Sequence, residues 1–250
     1  MKILIVLPVY NEELVLEKNA KQVLAFCQKN FTDDEFKIVI GDNNSHDQTA
    51  EIGRRLKEEF PEIDYFFTAK KGKGVAWREI FLREEADIYI VMDVDLAVEL
   101  SGTKLLVDGI KEGYDLAVGS RFLKDSVVNR SFFRDLSSSV YRFLVRFILD
   151  TKISDFQCGF KAINNKIKEN ILSHIKDPGF FLDTEITIYS EKAGYRVKQV
   201  PVNWSEFRDV RRKSTVNVFE TTIEYLKKIL KLRREVKKFV NTRKDPPLTN

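Results

Sequence analysis

The sequence is poor in the residues that build disulfide scaffolds and transition-metal sites. Its 250 residues include only two cysteines, Cys27 and Cys158, and two histidines, His46 and His174. Two cysteines exclude a disulfide-rich scaffold and a cysteine-rich zinc module, and we expect Cys158 to pack as a small apolar side chain. Any bound metal should therefore have oxygen ligands, which favours a hard cation such as Mg²⁺ or Mn²⁺.

Long hydrophobic runs are also missing. Nowhere do 18 apolar residues follow one another, and the densest apolar stretch, residues 137–150, contains Arg142 and Arg146. The apolar run at the N-terminus is too short for a signal peptide and turns acidic at once. We therefore expect a cytoplasmic protein that associates peripherally with a membrane and does not cross it.

The net charge of +4 is concentrated near the C-terminus. Residues 208–244 hold 13 Lys and Arg against 4 Asp and Glu, whereas residues 1–207 hold 29 against 33. Such a segment meets phosphates, an anionic membrane or nucleic acid, or it forms a solvated helix face. It has no interleaved surface aromatics and no recognition motif, which argues against nucleic acid.

Strand and helix patterns alternate through the first half of the chain. The predicted strands cover residues 2–9, 36–42, 63–69, 87–95 and 115–122. The predicted helices cover residues 11–30, 45–60, 72–86 and 103–114. Asn11 is a candidate N-cap of the first helix, and Ser45 or Asp47 of the second. Strands that are apolar throughout and alternate with helices indicate an α/β fold with a mostly parallel sheet covered on both faces.

The pattern changes after about residue 130. We predict a long amphipathic helix over residues 130–149, a loop with a short strand over 154–163 and a loop with a helix over 178–195 that ends at Gly194. A strand interrupted by Pro201 follows over residues 196–204, and a final amphipathic helix covers about 216–240. Proline suits an edge strand or a strand end. We expect one domain over residues 1–216, a basic helix over 217–240 and a disordered tail over 241–250.

Paired carboxylates follow the fourth predicted strand. Asp93 and Asp95 flank one residue at its end, and open parallel sheets bind ligands at the carboxyl ends of their strands. Two carboxylates there repel each other unless a cation lies nearby. A divalent ion between Asp95 and a diphosphate would meet that need and would stabilise a diphosphate leaving group. The alternative is a turn with two solvated aspartates.

Three further features have both a functional interpretation and a purely structural one. Asp42 ends the second strand, where it could accept hydrogen bonds from a base or ribose or belong to a polar turn. Lys73 lies in a flexible basic turn that lacks the spacing of a Walker loop. Arg121, Arg130 and Arg134 suit phosphate recognition, or they are solvated surface arginines.

The order of these motifs resembles the family-2 glycosyltransferases, and more narrowly the dolichyl- or polyprenyl-phosphate mannose and glucose synthases. The resemblance spans roughly residues 2–216. It rests on LPVYNEE, IVIGDNNSHD, KGKGVAWR, MDVDL, GSRF, SDFQCGFKAI, GFFLDTEI and GYRVKQVPVNW, in that order.

The resemblance implies the nucleotide-sugar-binding GT-A fold and a donor that is GDP-mannose or UDP-glucose. It implies that the nucleoside and donor are held by Pro8, Tyr10, Glu12, Asp42, Lys73, Arg208 and Arg212. It implies that Asp93 and Asp95 bind Mg²⁺ or Mn²⁺ and the diphosphate, with Asp95 catalytic. It also implies an acceptor-phosphate site made of Arg121, Arg134 and Ser137, with both arginines catalytic.

Two departures from the family pattern are visible. The second motif has a single aspartate, in Gly41-Asp42-Asn43, where the family often has two. The basic loop that closes over the donor offers Arg208, Arg211, Arg212 and Lys213, but its G-x-S-K pattern is replaced by Lys213-Ser214-Thr215.

The leading hypothesis is inverting transfer of mannose or glucose to a polyprenyl-type lipid phosphate. A phosphate monoester is already an anionic nucleophile, so the reaction needs positioning and charge stabilisation more than a strong base. The apolar stripe of helix 132–149, with Arg142 and Arg146, and the final basic helix suit an anionic membrane surface. Both helices could instead pack on the core or on a second subunit. The alternatives are a glycan or other soluble acceptor, and a non-catalytic nucleotide-sugar-binding scaffold.

Overall fold

The computed structural model describes residues 1–70, 72–129, 142–143, 145–205 and 218–242, without the side chains of Lys73, Asn129 and residues 218–223. Its strands are β1 (Lys2–Val9), β2 (Glu35–Asp42), β3 (Ile63–Phe67), β4 (Ile88–Val91), β5 (Leu116–Ser120), β6 (Val127–Asn129), β7 (Lys161–Asn164), β8 (Val197–Pro201) and β9 (Asn203–Ser205). Its helices are α1 (Leu16–Asn30), α2 (Thr49–Glu59), α3 (Lys73–Arg83), α4 (Ser101–Lys111), α5 (Asn165–Asn170), α6 (Leu182–Lys192) and α7 (Val218–Thr242).

Seven strands form one central sheet in the order β3-β2-β1-β4-β7-β5-β8. All neighbours in it are parallel except β7, which runs antiparallel to β4 and β5. The predicted α/β fold with a mostly parallel sheet is therefore confirmed. Pro201 is the last residue of the edge strand β8, as expected for a proline that cannot donate to a ladder. Strands β6 and β9 form a separate two-stranded sheet.

Helices cover both faces of the sheet, and the side chains of β1 show how. Ile3, Ile5 and Leu7 point into one core with α1, α2 and α4. Leu4 and Val6 point into the other core with α3, α6 and α7. Because successive strand residues face opposite sides, a strand buried on both sides must be apolar throughout. This explains the unbroken apolar runs in the sequence.

Several element boundaries differ from the prediction. The fourth strand ends at Val91, so Asp93 and Asp95 lie in the following loop. The predicted N-caps are wrong, because α1 and α2 begin at Leu16 and Thr49 and their N-cap residues make no side-chain capping bond. The residues predicted as caps instead join two loops, as described below. The strand predicted over residues 196–204 is divided into β8 and β9, which belong to different sheets.

The C-terminal helix packs on the core through one face. Ile229, Leu232 and Val236 of α7 are buried in the core that contains α6. Residues 241 and 242, predicted to lie in a disordered tail, belong to α7, and residues 243–250 lie outside the described part. A helix is predicted over residues 130–149. Residues 142–143 and 145–149 are helical, and the other residues of this range lie outside the described part of the chain. Among the described helices, none combines the length and the apolar character needed to span a membrane.

Candidate active site

A cleft of about 480 Å³ opens at the carboxyl edge of the parallel strands. Its walls come from the loops after β1, β2 and β4, from the turn before α3 and from the segment before α6. It is lined by Pro8, Val9, Tyr10, Glu12, Asn43, Gly72, Asp93, Val94, Asp95 and Phe180. Five of the predicted site residues therefore line one cleft: Pro8, Tyr10, Glu12, Asp93 and Asp95.

The loops after β1 and β2 are joined by reciprocal hydrogen bonds, in which a backbone N–H of one loop meets a side-chain oxygen of the other. These bonds run from Asn11 N to Ser45 Oγ (3.0 Å), His46 N to Asn11 Oδ1 (2.8 Å), Glu12 N to Thr49 Oγ1 (2.7 Å), Glu13 N to Asp47 Oδ2 (3.2 Å) and Gln48 N to Glu13 Oε2 (2.9 Å). Asn11 has φ of 54°, a left-handed conformation that asparagine tolerates. The bonds fix the loop that presents Tyr10 and Glu12 to the cleft.

Asp42 lies behind this loop and is buried. Its Oδ1 accepts a hydrogen bond from Ser45 N at 2.8 Å, and its Oδ2 accepts one from the Tyr65 hydroxyl at 2.7 Å. Burial and the hydrogen bond to Asp42 raise the pKa of Tyr65. Asp42 thus orders the start of the second loop, while its neighbour Asn43 lines the cleft. That Asp42 binds the nucleoside remains a prediction.

The loop after β4 carries the two carboxylates into the cleft. Leu96 N donates to Asp93 O at 3.1 Å, Ala97 N donates to Asp95 Oδ1 at 3.1 Å, and Leu96 has φ of 50°. This turn points Asp95 outward, where the side chain is exposed. The loop then pairs with β9, since Ser205 N donates to Ala97 O at 2.8 Å.

The carboxylate oxygens of this loop suit a hard divalent cation that also binds a diphosphate. Within the described part of the chain, no three His, Cys, Asp or Glu side chains come together as a complete metal site. Asp93 and Asp95 offer carboxylate oxygens, which suit a hard cation, and their binding of one remains a prediction. Mg²⁺ is commonly bound in this way, through one or two carboxylates plus substrate phosphates and water.

Arg121 lies after β5 and forms a bidentate ion pair with Asp155. Its Nε is 2.6 Å from Asp155 Oδ2 and its Nη2 is 2.8 Å from Oδ1, and its backbone N–H also donates to Oδ2. Burial alone raises the pKa of the Asp155 carboxyl, but the hydrogen bonds and charge of Arg121 outweigh it and lower that pKa. Planar two-point pairing of this kind fixes the orientation of a guanidinium.

A hydroxyl and amide cluster holds the loop that carries Asp155. The Ser120 and Ser154 hydroxyls are 2.6 Å apart, and Gln199 Oε1 accepts hydrogen bonds from Ser154 N at 2.7 Å and Ser154 Oγ at 2.6 Å. Cys158 in the same loop is buried in the core as expected, and burial raises the pKa of its thiol to about 11.

Other predicted site residues fall outside the described residues or have undescribed side chains. Lys73 is the first residue of α3, but its side chain is not described. Outside the described residues lie Arg130, Arg134, Ser137, Arg208, Arg211, Arg212 and Lys213. Their roles remain predictions.

The sequence analysis missed Phe180 and Asp155 as candidate site residues. Phe180 is 62% exposed and lines the cleft beside Gly72. An aromatic residue after Pro178-Gly179, in a turn-forming segment, was the available signal for it. Asp155 had no comparable signal, because its pairing with Arg121 joins residues 34 positions apart.

We expect Asp155→Asn to lower the free energy of unfolding by about 3–5 kcal/mol at pH 7, because it leaves a largely buried guanidinium without its carboxylate. The folded-state pKa of Asp155 is lowered, so the ion pair stabilises the protein above about pH 4 and loses that effect as the pH falls through the folded-state pKa. Urea unfolding from pH 7 down to pH 2 should show the difference between the two proteins shrinking. Asp108→Asn, which removes an exposed carboxylate paired with Lys104, should cost less than about 1 kcal/mol. A difference that does not change with pH would contradict this assignment.

The chain has sequence relatives with named activities. It is 31% identical over 213 residues to the glycosyltransferase AglD of Haloferax volcanii, with 84% of this chain and 34% of that protein covered. It is 28% identical over 239 residues to the dolichol-phosphate mannosyltransferase of Pyrococcus furiosus, with 94% of this chain and 64% of that protein covered. The chain thus spans about a third of the first relative and less than two thirds of the second.

A solved structure shares the fold. Glucosyl-3-phosphoglycerate synthase from Mycobacterium tuberculosis, in complex with uridine diphosphate, matches with a TM-score of 0.65 and 16% identity, covering 94% of this chain and 80% of that one. The same protein in complex with Mn²⁺, uridine diphosphate and glucosyl-3-phosphoglycerate matches with a TM-score of 0.61 and 17% identity, covering 99% of this chain and 81% of that one.

These comparisons agree with the fold and with the motif order. The sheet flanked by helices is the GT-A fold of the nucleotide-sugar transferases. The sequence matches the family described as Glycosyl transferase family 2 over residues 4–172. This chain is therefore a member of glycosyl transferase family 2.

Proposed function

We propose that this chain is an inverting glycosyltransferase that moves mannose or glucose from a nucleotide sugar to a polyprenyl- or dolichyl-type phosphate. One observation carries the proposal: Asp93 and Asp95 share a single cleft with Pro8, Tyr10 and Glu12. The cleft volume lies in the range of small-ligand sites, and its position at the carboxyl edge of the sheet is where open α/β folds bind nucleotides.

The donor is proposed to lie along this cleft with its diphosphate at Asp93 and Asp95. A divalent cation held by these carboxylates would supply Lewis-acid stabilisation of the diphosphate leaving group. The proposal is supported by the Mn²⁺ and uridine diphosphate in the structure of glucosyl-3-phosphoglycerate synthase. Tyr10 and Glu12 are proposed to position the nucleoside, on a loop already fixed by its hydrogen bonds to the second loop.

The environment of two buried aspartates favours a phosphate acceptor over a sugar hydroxyl. Asp155 pairs with Arg121, and Asp183 lies 2.8 Å from the buried Lys161 Nζ. A hydroxyl nucleophile needs a general base, and a carboxylate committed to a cation is poorly suited to that task. A phosphate acceptor is itself the nucleophile, and it needs cations to approach a second phosphate; Arg121 is proposed for this role, with its guanidinium oriented by Asp155. The named activity of the Pyrococcus furiosus relative agrees with a lipid-phosphate acceptor.

Donor binding can be tested without turnover. We expect either the guanosine pair, GDP and GDP-mannose, or the uridine pair, UDP and UDP-glucose, to raise the apparent melting temperature. With Mn²⁺ and at a hundredfold excess over the dissociation constant the rise should be about 5–10 °C, and EDTA should reduce it. Asp95→Asn should lose the metal-dependent part of the shift, because it removes one anionic ligand. Asp108→Asn on the exposed face of α4 is the matched control and should keep it.

The pattern of shifts discriminates among the donors. A shift with guanosine nucleotides supports mannose transfer, and a shift with uridine nucleotides supports glucose transfer. No shift with any of the four nucleotides would contradict the donor site, and an equal shift in EDTA would contradict the role of the cation.

Acceptor choice requires a transfer assay. With the donor that binds, we expect labelled sugar to pass to polyprenyl phosphate in neutral detergent. We expect no transfer to the matching polyprenol, which lacks only the phosphate, because the nucleophile is then absent. Transfer to a soluble oligosaccharide would favour the glycan alternative. Nucleotide binding without transfer to any acceptor would favour a non-catalytic scaffold.

Peripheral membrane association is proposed to involve the helical residues 142–143 and 145–149. Phe143 and Phe147 are 69% and 79% exposed and stack with their ring centroids 6.3 Å apart, while Val145 and Leu149 face the core. Arg142 and Arg146 adjoin the same surface. Exposed aromatics beside arginines suit insertion into the interface of an anionic bilayer.

We expect the double variant Phe143→Ser/Phe147→Ser to bind anionic vesicles at least about tenfold more weakly than wild type, because each phenylalanine contributes apolar area to the bilayer. Its melting temperature should barely change, since both rings are exposed. Cosedimentation with phosphatidylglycerol vesicles measures this effect. Leu82→Ser/Leu105→Ser removes two other exposed apolar residues and is the control. Equal vesicle binding by wild type and both double variants would contradict a role of this surface in membrane association.

A further inference from the structure

The segment that carries Phe180 fits tightly against the turn before α3. Pro178 O accepts a hydrogen bond from Gly74 N at 3.0 Å. Gly72 has φ of 131°, and a Cβ added there would lie 2.2 Å from Pro178 O. Only glycine therefore permits this approach, and both Gly72 and Phe180 line the cleft. The position of the segment accordingly determines part of the cleft wall.

Buried acidic side chains hold the same segment from within. Glu185 Oε2, on α6, accepts hydrogen bonds from Lys176 N and Asp177 N, both at 2.9 Å. Asp177 Oδ1 accepts one from Gly179 N at 2.8 Å, which shapes the turn immediately before Phe180. The orientation of the Asp177 carboxylate is therefore linked to the backbone next to Phe180.

The C-terminal helix α7 supplies the cation for this carboxylate. Lys228 Nζ lies 2.8 Å from Asp177 Oδ2 and 3.0 Å from Glu224 Oε1. The Asp177 side chain is only 8% exposed, whereas that of Lys228 is 32% exposed. Beside this pair, the Tyr225 ring meets the Phe181 ring edge-on at 5.6 Å. An ion pair with a buried carboxylate is more strongly coupled than one exposed to water, because the low local dielectric screens it less.

We propose that Lys228 is a positioning residue for the substrate cleft: its ion pair with Asp177 holds the 176–181 segment so that Phe180 contacts the acceptor. The proposal rests on the proposed function for the identity of the acceptor. Phe180 comes from a different segment than Tyr10 and Glu12, and its ring offers an apolar contact for the hydrocarbon next to the acceptor phosphate. Gly179, which is held by Asp177, immediately precedes Phe180, so a change in this turn moves the ring.

The test compares two lysines whose ion pairs involve carboxylates of similar burial. Lys111 on α4 lies 2.6 Å from Asp34, with side-chain exposures of 37% and 7%, close to those of Lys228 and Asp177. Asp34 precedes β2 at the amino edge of the sheet, away from the cleft. Lys228→Met and Lys111→Met thus remove the same charge from carboxylates of similar burial at opposite edges, and Asp34 additionally keeps its ion pair with the N-terminal ammonium at 3.0 Å. Lys228→Arg keeps the charge and should behave as wild type.

Two measurements are expected to separate the variants. Hydrogen–deuterium exchange of the peptide containing residues 176–182 should be faster in Lys228→Met, because the Gly179 N–H loses its fixed acceptor, and should stay unchanged in Lys111→Met. In the transfer assay with polyprenyl phosphate in neutral detergent, Lys228→Met should raise the acceptor KM about three- to tenfold. Its kcat and its nucleotide affinity should stay within about twofold of wild type.

A double variant tests whether Lys228 acts through Phe180. Phe180→Ala should raise the acceptor KM, and adding Lys228→Met to it should raise it no further, since the positioned ring is already absent. Additive effects would overturn the proposal, as would unchanged exchange of the 176–182 peptide in Lys228→Met. An altered nucleotide affinity with an unchanged acceptor KM would also overturn it. Failure of wild type to transfer sugar would instead overturn the proposed function, while the exchange measurement would still test the ion pair.

Discussion

The burial of the parallel sheet on both faces is the constraint on which the rest of this structure depends. Strand β1 lies between two cores, so its residues from Ile3 to Val9 carry no charge, and polar side chains follow only after its C-terminal end. Its neighbours are in register with it, since Val9 lies opposite Asp42 and Val6 opposite Val91. The first polar residues after these strands therefore emerge at one edge. Loops from three strands meet there and, with the turn before α3 and the segment before α6, form the cleft.

Buried charges near this edge are compensated in pairs, and this arrangement separates the paired, buried aspartates from the exposed Asp95. Asp155 with Arg121 and Asp183 with Lys161 place two cations and two carboxylates in the protein interior. Such pairs are costly to desolvate and more costly to break, so they fix the positions of the segments that carry them. Asp95 is exposed on a tight turn, where a cation and a diphosphate can reach it. The two classes of aspartate have the same chemistry and differ in burial.

Much of the fold and part of the site could be predicted from local pattern alone. Apolar runs located the strands, and the position of Asp93 and Asp95 after such a run located the cleft. The reversed direction of β7 could not be predicted, because a strand between two buried neighbours has the same apolar pattern in either direction. Asn11, Ser45 and Asp47 are residue types favoured at N-cap positions, but each forms a hydrogen bond with the neighbouring loop. Local propensity identifies such residues as hydrogen-bonding groups without identifying their partner.

Contacts between residues distant in sequence are the part of the site that could not be predicted from one sequence, and the contacts of α7 are the clearest example. Its spacing of apolar and basic residues predicts an amphipathic helix, and the simplest interpretation assigns every lysine to solvent or to an anionic surface. Lys228 departs from that interpretation, because its ammonium group meets a carboxylate that is itself bonded to the turn before Phe180. A helix that packs through Ile229 and Leu232 brings the neighbouring lysine to the core surface as a geometric consequence. The same burial that attaches α7 to the domain thereby brings it to the cleft, where the Lys228–Asp177 ion pair joins the helix to the segment that carries Phe180.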